Sequence, residues 1–202
     1  MARPTGSTSS ARLRILSCAS NLFYRKGINH VGVNEIIDAS GVAKMTLYHH
    51  FKSKNDIIAA TLDTRRAQRL EGIQAAMAQA RTPRHQILAA FDYLAEIIED
   101  STFRGCAFIN ATVELAEPAH PASLISTQHK QRMIGEFERV AEQAGWHNPR
   151  RFALQCQLLW DGAIAAAQIN YDNAPVQAAR SAVEILIEAA QSEKMQMNGT
   201  RS

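Results

Sequence analysis

The sequence has no run of about 18 apolar residues, the length a membrane-spanning helix requires, so no such helix is expected. Its start, Met1-Ala2-Arg3-Pro4-Thr5-Gly6-Ser7-Thr8-Ser9-Ser10, lacks the apolar core of a secretory signal. Small polar residues dominate there, and residues 1–10 read as a disordered arm. Cysteine is scarce and odd in number. Cys18, Cys106 and Cys156 lie far apart in helical patterns, which speaks against a disulfide framework or a zinc site and for reduced thiols in a cytoplasm. The seven histidines show no metal-ligand spacing, since His49 and His50 are adjacent while His85, His120, His129 and His147 are scattered. A nucleophile elbow, a His-Glu-x-x-His pair and a phosphate-binding glycine loop are all missing. No catalytic residue, metal or cofactor is therefore expected.

β-alternation of useful length is missing too, and the chain reads as all-α. At 202 residues and 46% hydrophobic composition it can bury a full core. Apolar residues at Ile15, Leu16, Ala19, Leu22 and Phe23 recur with helical period, and Gly27 ends that helix behind Arg25 and Lys26. Ser53-x-x-Asp56 is a capping-box-like start for a helix through Ile57, Ile58 and Leu62 to about Met77, interrupted only by Gly72. Thr82-Pro83 and Asn148-Pro149 each pair a capping side chain with a proline at the first helical position. They open helices carrying Phe91 and Trp160. Between them the pattern predicts one helix from Cys106 to Glu117, a break at Pro118 to Pro121, and another over Ser123–Gln143. The last helix begins near Asn173-Ala174-Pro175. The final two helices are long, apolar and closely spaced, so they are expected to pair antiparallel. Gly162, Ala163, Ala165, Ala166 and Ala167 make one stretch unusually small, suited to core packing or to close approach of a second subunit.

Charge is divided unevenly. Residues 1–54 hold eight Lys/Arg against Glu35 and Asp38, a net of +6, while the remaining residues net −3. A basic N-terminal module on a body that need not touch a polyanion fits this division. Within that module, Val33 to Lys54 reads as two short helices joined at Gly41, where a sharp turn needs positive φ. Ile36, Ile37, Val42, Leu47 and Phe51 can pack inward. Asn34, Lys44, Met45, Thr46, Tyr48 and His49 are left to face a partner, and their chemistry suits phosphate oxygens and base edges in a major groove. Asn34 can pair bidentately with adenine, and Met45 can touch a thymine methyl.

The signature Gly41-Val42-x-Lys44-x-Thr46-Leu47-Tyr48-His49-x-Phe51-Lys52-Ser53-Lys54, preceded by Leu22-Phe23-x-x-Lys26-Gly27, resembles the N-terminal domain of the TetR/AcrR family of transcriptional regulators. The resemblance is strong from Ala11 to about Thr61, roughly a quarter of the chain. It implies a helix-turn-helix DNA-binding domain over 11–54 and a helical ligand-binding and dimerisation domain over 55–202. It further implies phosphate contacts from Lys44, Thr46, Tyr48, His49 and Lys54, a homodimer on double-stranded operator DNA, and a small-molecule effector that releases a repressor. Two positions depart from the pattern. Gly32 and Ala43 stand where such proteins usually carry hydroxyl residues, so both short helices lack a side-chain cap, and the amides at the start of the recognition helix are left free to point at a phosphate.

For an effector, the expected cavity lies between the helices carrying Phe91, Phe108, Met133, Phe137 and Trp160, with Asn110 and Glu114 as polar anchors. Cys106 has two readings. It is a buried small hydrophobe, or a sensor thiol favoured by Arg104 and a helix N-terminus, as in family members that respond to oxidants and resemble this Gly-Cys pair. A rival from another class is a helical ligand-binding or enzymatic protein with a vestigial DNA motif.

Overall fold

Ser53, Thr82 and Asn148 start helices through their side chains. Ser53 Oγ accepts the Asp56 N–H at 3.1 Å while the Asp56 carboxylate accepts the Ser53 N–H at 3.0 Å, a reciprocal capping box. Thr82 accepts from the His85 N–H and Asn148 from the Arg151 N–H, each ahead of its proline. The computed structural model describes residues 6–199. Among them it is all-α, with helices α1 (Gly6–Lys26), α2 (Val33–Ser40), α3 (Lys44–His50), α4 (Lys54–Ala78), α5 (Pro83–Glu99), α6 (Ala107–Leu115), α7 (Pro121–Ala144), α8 (Pro149–Asn170) and α9 (Ala174–Gly199). None of the described helices is long and apolar enough to cross a membrane.

Three expectations shift. Residues 1–5 of the expected arm lie outside the described residues, and residues 6–10 already belong to α1. Helix α6 stops at Leu115, where Ala116 turns left-handed and returns its N–H to the Thr112 carbonyl. Helix α7 starts at Pro121, because a proline that cannot continue one helix suits the first position of the next. There the His120 Nδ1 accepts the Ala122 N–H at 3.1 Å.

The chain divides into two compact units. The first comprises Met1–Ala67 and Ala107–Thr127, thus running beyond the limit expected at residue 54 and taking in α6. In it α1 packs on both α2 and α3, burying Ile15, Ala19, Phe23, Ile36, Leu47 and Phe51. The physical reason for including α6 is a polar brace. The Glu114 carboxylate accepts the Asn29 N–H at 3.0 Å, and the Glu114 carbonyl accepts from Asn29 Nδ2 at 2.9 Å.

The second unit comprises Gln68–Cys106 and Gln128–Ser202. Its main contact is the expected pairing of α8 with α9, and α5 lies against both. Gly72 in α4 has a steric purpose, since a Cβ there would sit 2.0 Å from the Tyr93 hydroxyl of α5. Phe91, Phe137 and Trp160, from α5, α7 and α8, form a buried trio with ring centroids 5.7–6.2 Å apart.

Candidate nucleic-acid interface

The turn between α2 and α3 rests on Gly41, whose φ of 63° and ψ of 29° are left-handed, with its N–H returned to the Ile37 carbonyl at 3.0 Å. Val42 then turns inward and α3 begins at Lys44. Leu47 is buried and anchors α3 from beneath. At 100° per residue, Met45 and His49 fall opposite Leu47, Tyr48 lies at the flank and Lys44 opens the helix on the Leu47 side, and all four are exposed. Met45 is 79% exposed, an unusual position for an unbranched apolar side chain with no contact to make within the protomer. Asn34 is exposed on α2, whereas Thr46 and Lys54 are half-buried. The structure therefore gathers the expected polar set onto one short helix and its neighbours.

Neither Gly32 nor Ala43 makes a side-chain capping bond. The Thr46 and Leu47 amides bond back to the Ala43 carbonyl at 2.8 and 3.1 Å. Electrostatics around α3 are graded. Burial, then the charges of His49 and Arg12, lower the His50 pKa, so its imidazole favours the neutral form. Sequence reasoning missed Arg12, whose guanidinium lies 5.4 Å from the Phe51 ring centroid at the end of α3. No local signal could reveal it, because α1 and Phe51 meet only after folding.

The expected effector residues separate. Phe91, Met133, Phe137 and Trp160 are buried in the second unit, together with Cys106 at 9% exposure. Phe108, Asn110 and Glu114 belong to the first unit, where Glu114 is engaged with Asn29. The three aromatic rings pack directly on one another. Burial pushes the Cys156 thiol pKa up, as a core cysteine requires. A cleft of about 700 Å³ lies in the second unit between the end of α5, the following loop and the end of α8, lined by Glu99, Asp100, Phe103, Arg104, Tyr171 and Asp172 among others. Gln157 on α8 carries no distinguishing signal in the sequence. It is 5% exposed, and neither its Nε2 nor its Oε1 has a hydrogen-bond partner. An unsatisfied buried polar group costs about 1–3 kcal/mol.

A second surface is apolar. Along α8, Leu154, Leu158, Gly162, Ala165 and Ile169 are exposed at successive turns, and Ile185 of α9 is exposed as well. Nothing lies within 4 Å of a Cβ built on Gly162.

Comparison with known proteins matches residues 15–61 to the profile of bacterial regulatory proteins, tetR family. The structure of a TetR-family transcriptional regulator from Streptomyces coelicolor is 30% identical, with a TM-score of 0.85, over 90% of this chain and 96% of that one. The transcriptional activator FasR of Mycolicibacterium smegmatis is 32% identical over 88 residues, 44% of this chain and 40% of FasR. The transcriptional repressor KstR2 of Rhodococcus jostii is 37% identical over 54 residues, 27% of this chain and 26% of KstR2. The chain thus spans less than half the length of these two curated relatives.

Proposed function

The chain belongs to the TetR family of transcriptional regulators, and we propose that it is a homodimeric repressor that binds operator DNA and is released by a small molecule. The observation that carries DNA binding is the exposed polar and apolar set on α3, Lys44, Met45, Tyr48 and His49, on a helix anchored by buried Leu47. Lys44, Thr46, Tyr48, His49 and Lys54 would contact phosphates, and Asn34 and Met45 would read base edges. This makes the first unit the DNA-binding module and the second the effector and dimerisation module. Occupying a promoter is enough for repression, whereas activation needs a further surface for the polymerase.

The dimer would form on the apolar stripe of α8 with Ile185 of α9. Two-fold symmetry doubles the readout of a short recognition helix and requires half-sites about 34–36 Å apart. An effector that changes this separation by a few ångströms misaligns one helix, a coupling usually worth about 1–3 kcal/mol. The burial of Cys106 supports packing over thiol sensing.

The test is to select DNA fragments from a random pool and sequence them. Enrichment of a palindrome, with affinity that falls as salt rises, is expected; no enrichment rejects the proposal. Lys44→Ala should weaken binding to all sequences alike and lower the salt slope by about one unit per half-site. An unchanged slope removes Lys44 from the interface. Met45→Ala should instead change preference among operators more than overall affinity, and a uniform loss would contradict base reading.

A further inference from the structure

The acidic cleft at the end of α5 is the more conspicuous place for a ligand, but its carboxylates already hold the local turns. Glu99 accepts from Asn173 Nδ2 at 2.8 Å, Asp100 from the Thr102 N–H and hydroxyl at 2.7 Å, and Asp172 from the Ala174 N–H at 3.1 Å. Gln157 is the opposite case, a deeply buried amide committed to nothing.

Its surroundings can be placed by register. Short loop 145–148 turns α7 back along α8, and two ion pairs tie the helices, Glu138 with Arg150 at 2.8 Å and Lys130 with Asp161. Gln157 lies between those two levels, seven residues after Arg150 and one turn before Asp161, and so shares the α8 face that carries both ion pairs to α7. Trp160 follows on the same buried face, with Phe91 and Phe137 against it. Gln157 thus lies three residues before Trp160 on the buried side of α8.

From this we infer that Gln157 is the polar anchor of an effector bound at the aromatic core, and that the effector is a neutral amide, lactam or imide on a flat apolar body. This rests on the effector-responsive reading above and specifies its chemistry. A carboxamide offers two N–H donors and a carbonyl acceptor side by side, and a ligand amide answers both in one plane. The rings supply flat apolar walls, while unbranched Met133 can re-pack around a guest. Among the described residues no Lys, Arg, Asp or Glu of this unit is buried, which disfavours a charged effector. Among the described residues, the buried polar side chains of this unit are His129 and Gln157, and the Lys130–Asp161 pair neutralises itself. A ligand ammonium would lose its water without compensation, and a carboxylate could be answered by His129 alone.

Titration calorimetry on the full chain with benzamide tests the site, with benzoate as its charged counterpart and acetophenone as an acceptor without N–H. Benzamide should bind, and both acetophenone and benzoate should bind more weakly. Gln157→Leu should lower benzamide affinity at least tenfold while raising the unliganded melting temperature by about 2–6 °C, because a dry unsatisfied amide has been removed. Absence of benzamide binding to the wild type, or equal affinity in Gln157→Leu, overturns the inference. A lowered melting temperature also overturns it, since an internal water would then be the partner of Gln157. Operator binding measured on the same samples keeps the two readings apart. A wild type that holds benzamide but ignores operator DNA retains the site and loses the regulator.

Discussion

Gly162→Trp should leave a folded protomer that no longer dimerises and binds operator about 10³-fold or more weakly, close to the non-specific level. The argument is steric. Gly162 is exposed on α8, and the space around its missing side chain is open within the protomer, so an indole there disturbs nothing local. The same indole stands in the middle of the stripe formed by Leu154, Leu158, Ala165 and Ile169 and keeps a second copy from reaching it. Leu158→Arg, at a side chain 72% exposed, should act alike by putting charge into an apolar contact. Sedimentation of both variants reads the oligomeric state, and gel-shift titration reads affinity. A Gly162→Trp protein that sediments as the wild-type dimer would place the interface elsewhere. A wild-type protein that is monomeric at micromolar concentration would count against the whole arrangement.

Phe91→Ala should destabilise the second unit by about 3–5 kcal/mol, the usual cost of emptying a close-packed aromatic site. Phe91 is fully buried, and its ring touches both Phe137 and Trp160. Neither partner is free to collapse into the hole, since each is itself buried and held by its own helix. Both tryptophans of the sequence, Trp146 and Trp160, lie in this unit, so urea denaturation followed by tryptophan fluorescence reports it directly. A shift below about 1 kcal/mol would mean that the trio is loosely packed around a standing void. The effector would then enter a preformed cavity rather than re-pack the core.

Helix positions were legible because their signals are local. Ser53, Thr82 and Asn148 bond to amides three residues away, and Gly41 fulfils a condition on one residue's own backbone. The outward set on α3 was legible for the same reason, as it needs only one helical period and a buried Leu47. What the sequence hid depends on distant segments. Glu114 lies among apolar residues and on sequence alone suits an effector anchor, but its carboxylate meets Asn29, 85 positions away. Arg12 reaches Phe51 only once α1 and α3 are packed. Gln157 shares a face with Trp160 in any helical drawing, but its lack of partners becomes visible only in the folded structure. The exposed stripe of α8 was within reach of the sequence, since Leu154 and Leu158 continue the spacing of Gly162, but only burial shows that it faces outward.

The brace from Glu114 to Asn29 has a consequence for how the protein is made and how it can be cut. The segment matched by the family profile ends at residue 61, yet the first unit is completed by residues 107–127. A ribosome adding about 5–20 residues per second delivers that piece some seconds after the N-terminal segment has emerged. The nascent N-terminal helices must wait for it with the turn at Asn29 unsupported. Chimeras that graft the first 61 residues onto another body leave Glu114 behind in the same way. A graft that also transfers 107–127 restores the missing carboxylate, and should resist proteolysis near Asn29 better than the shorter one.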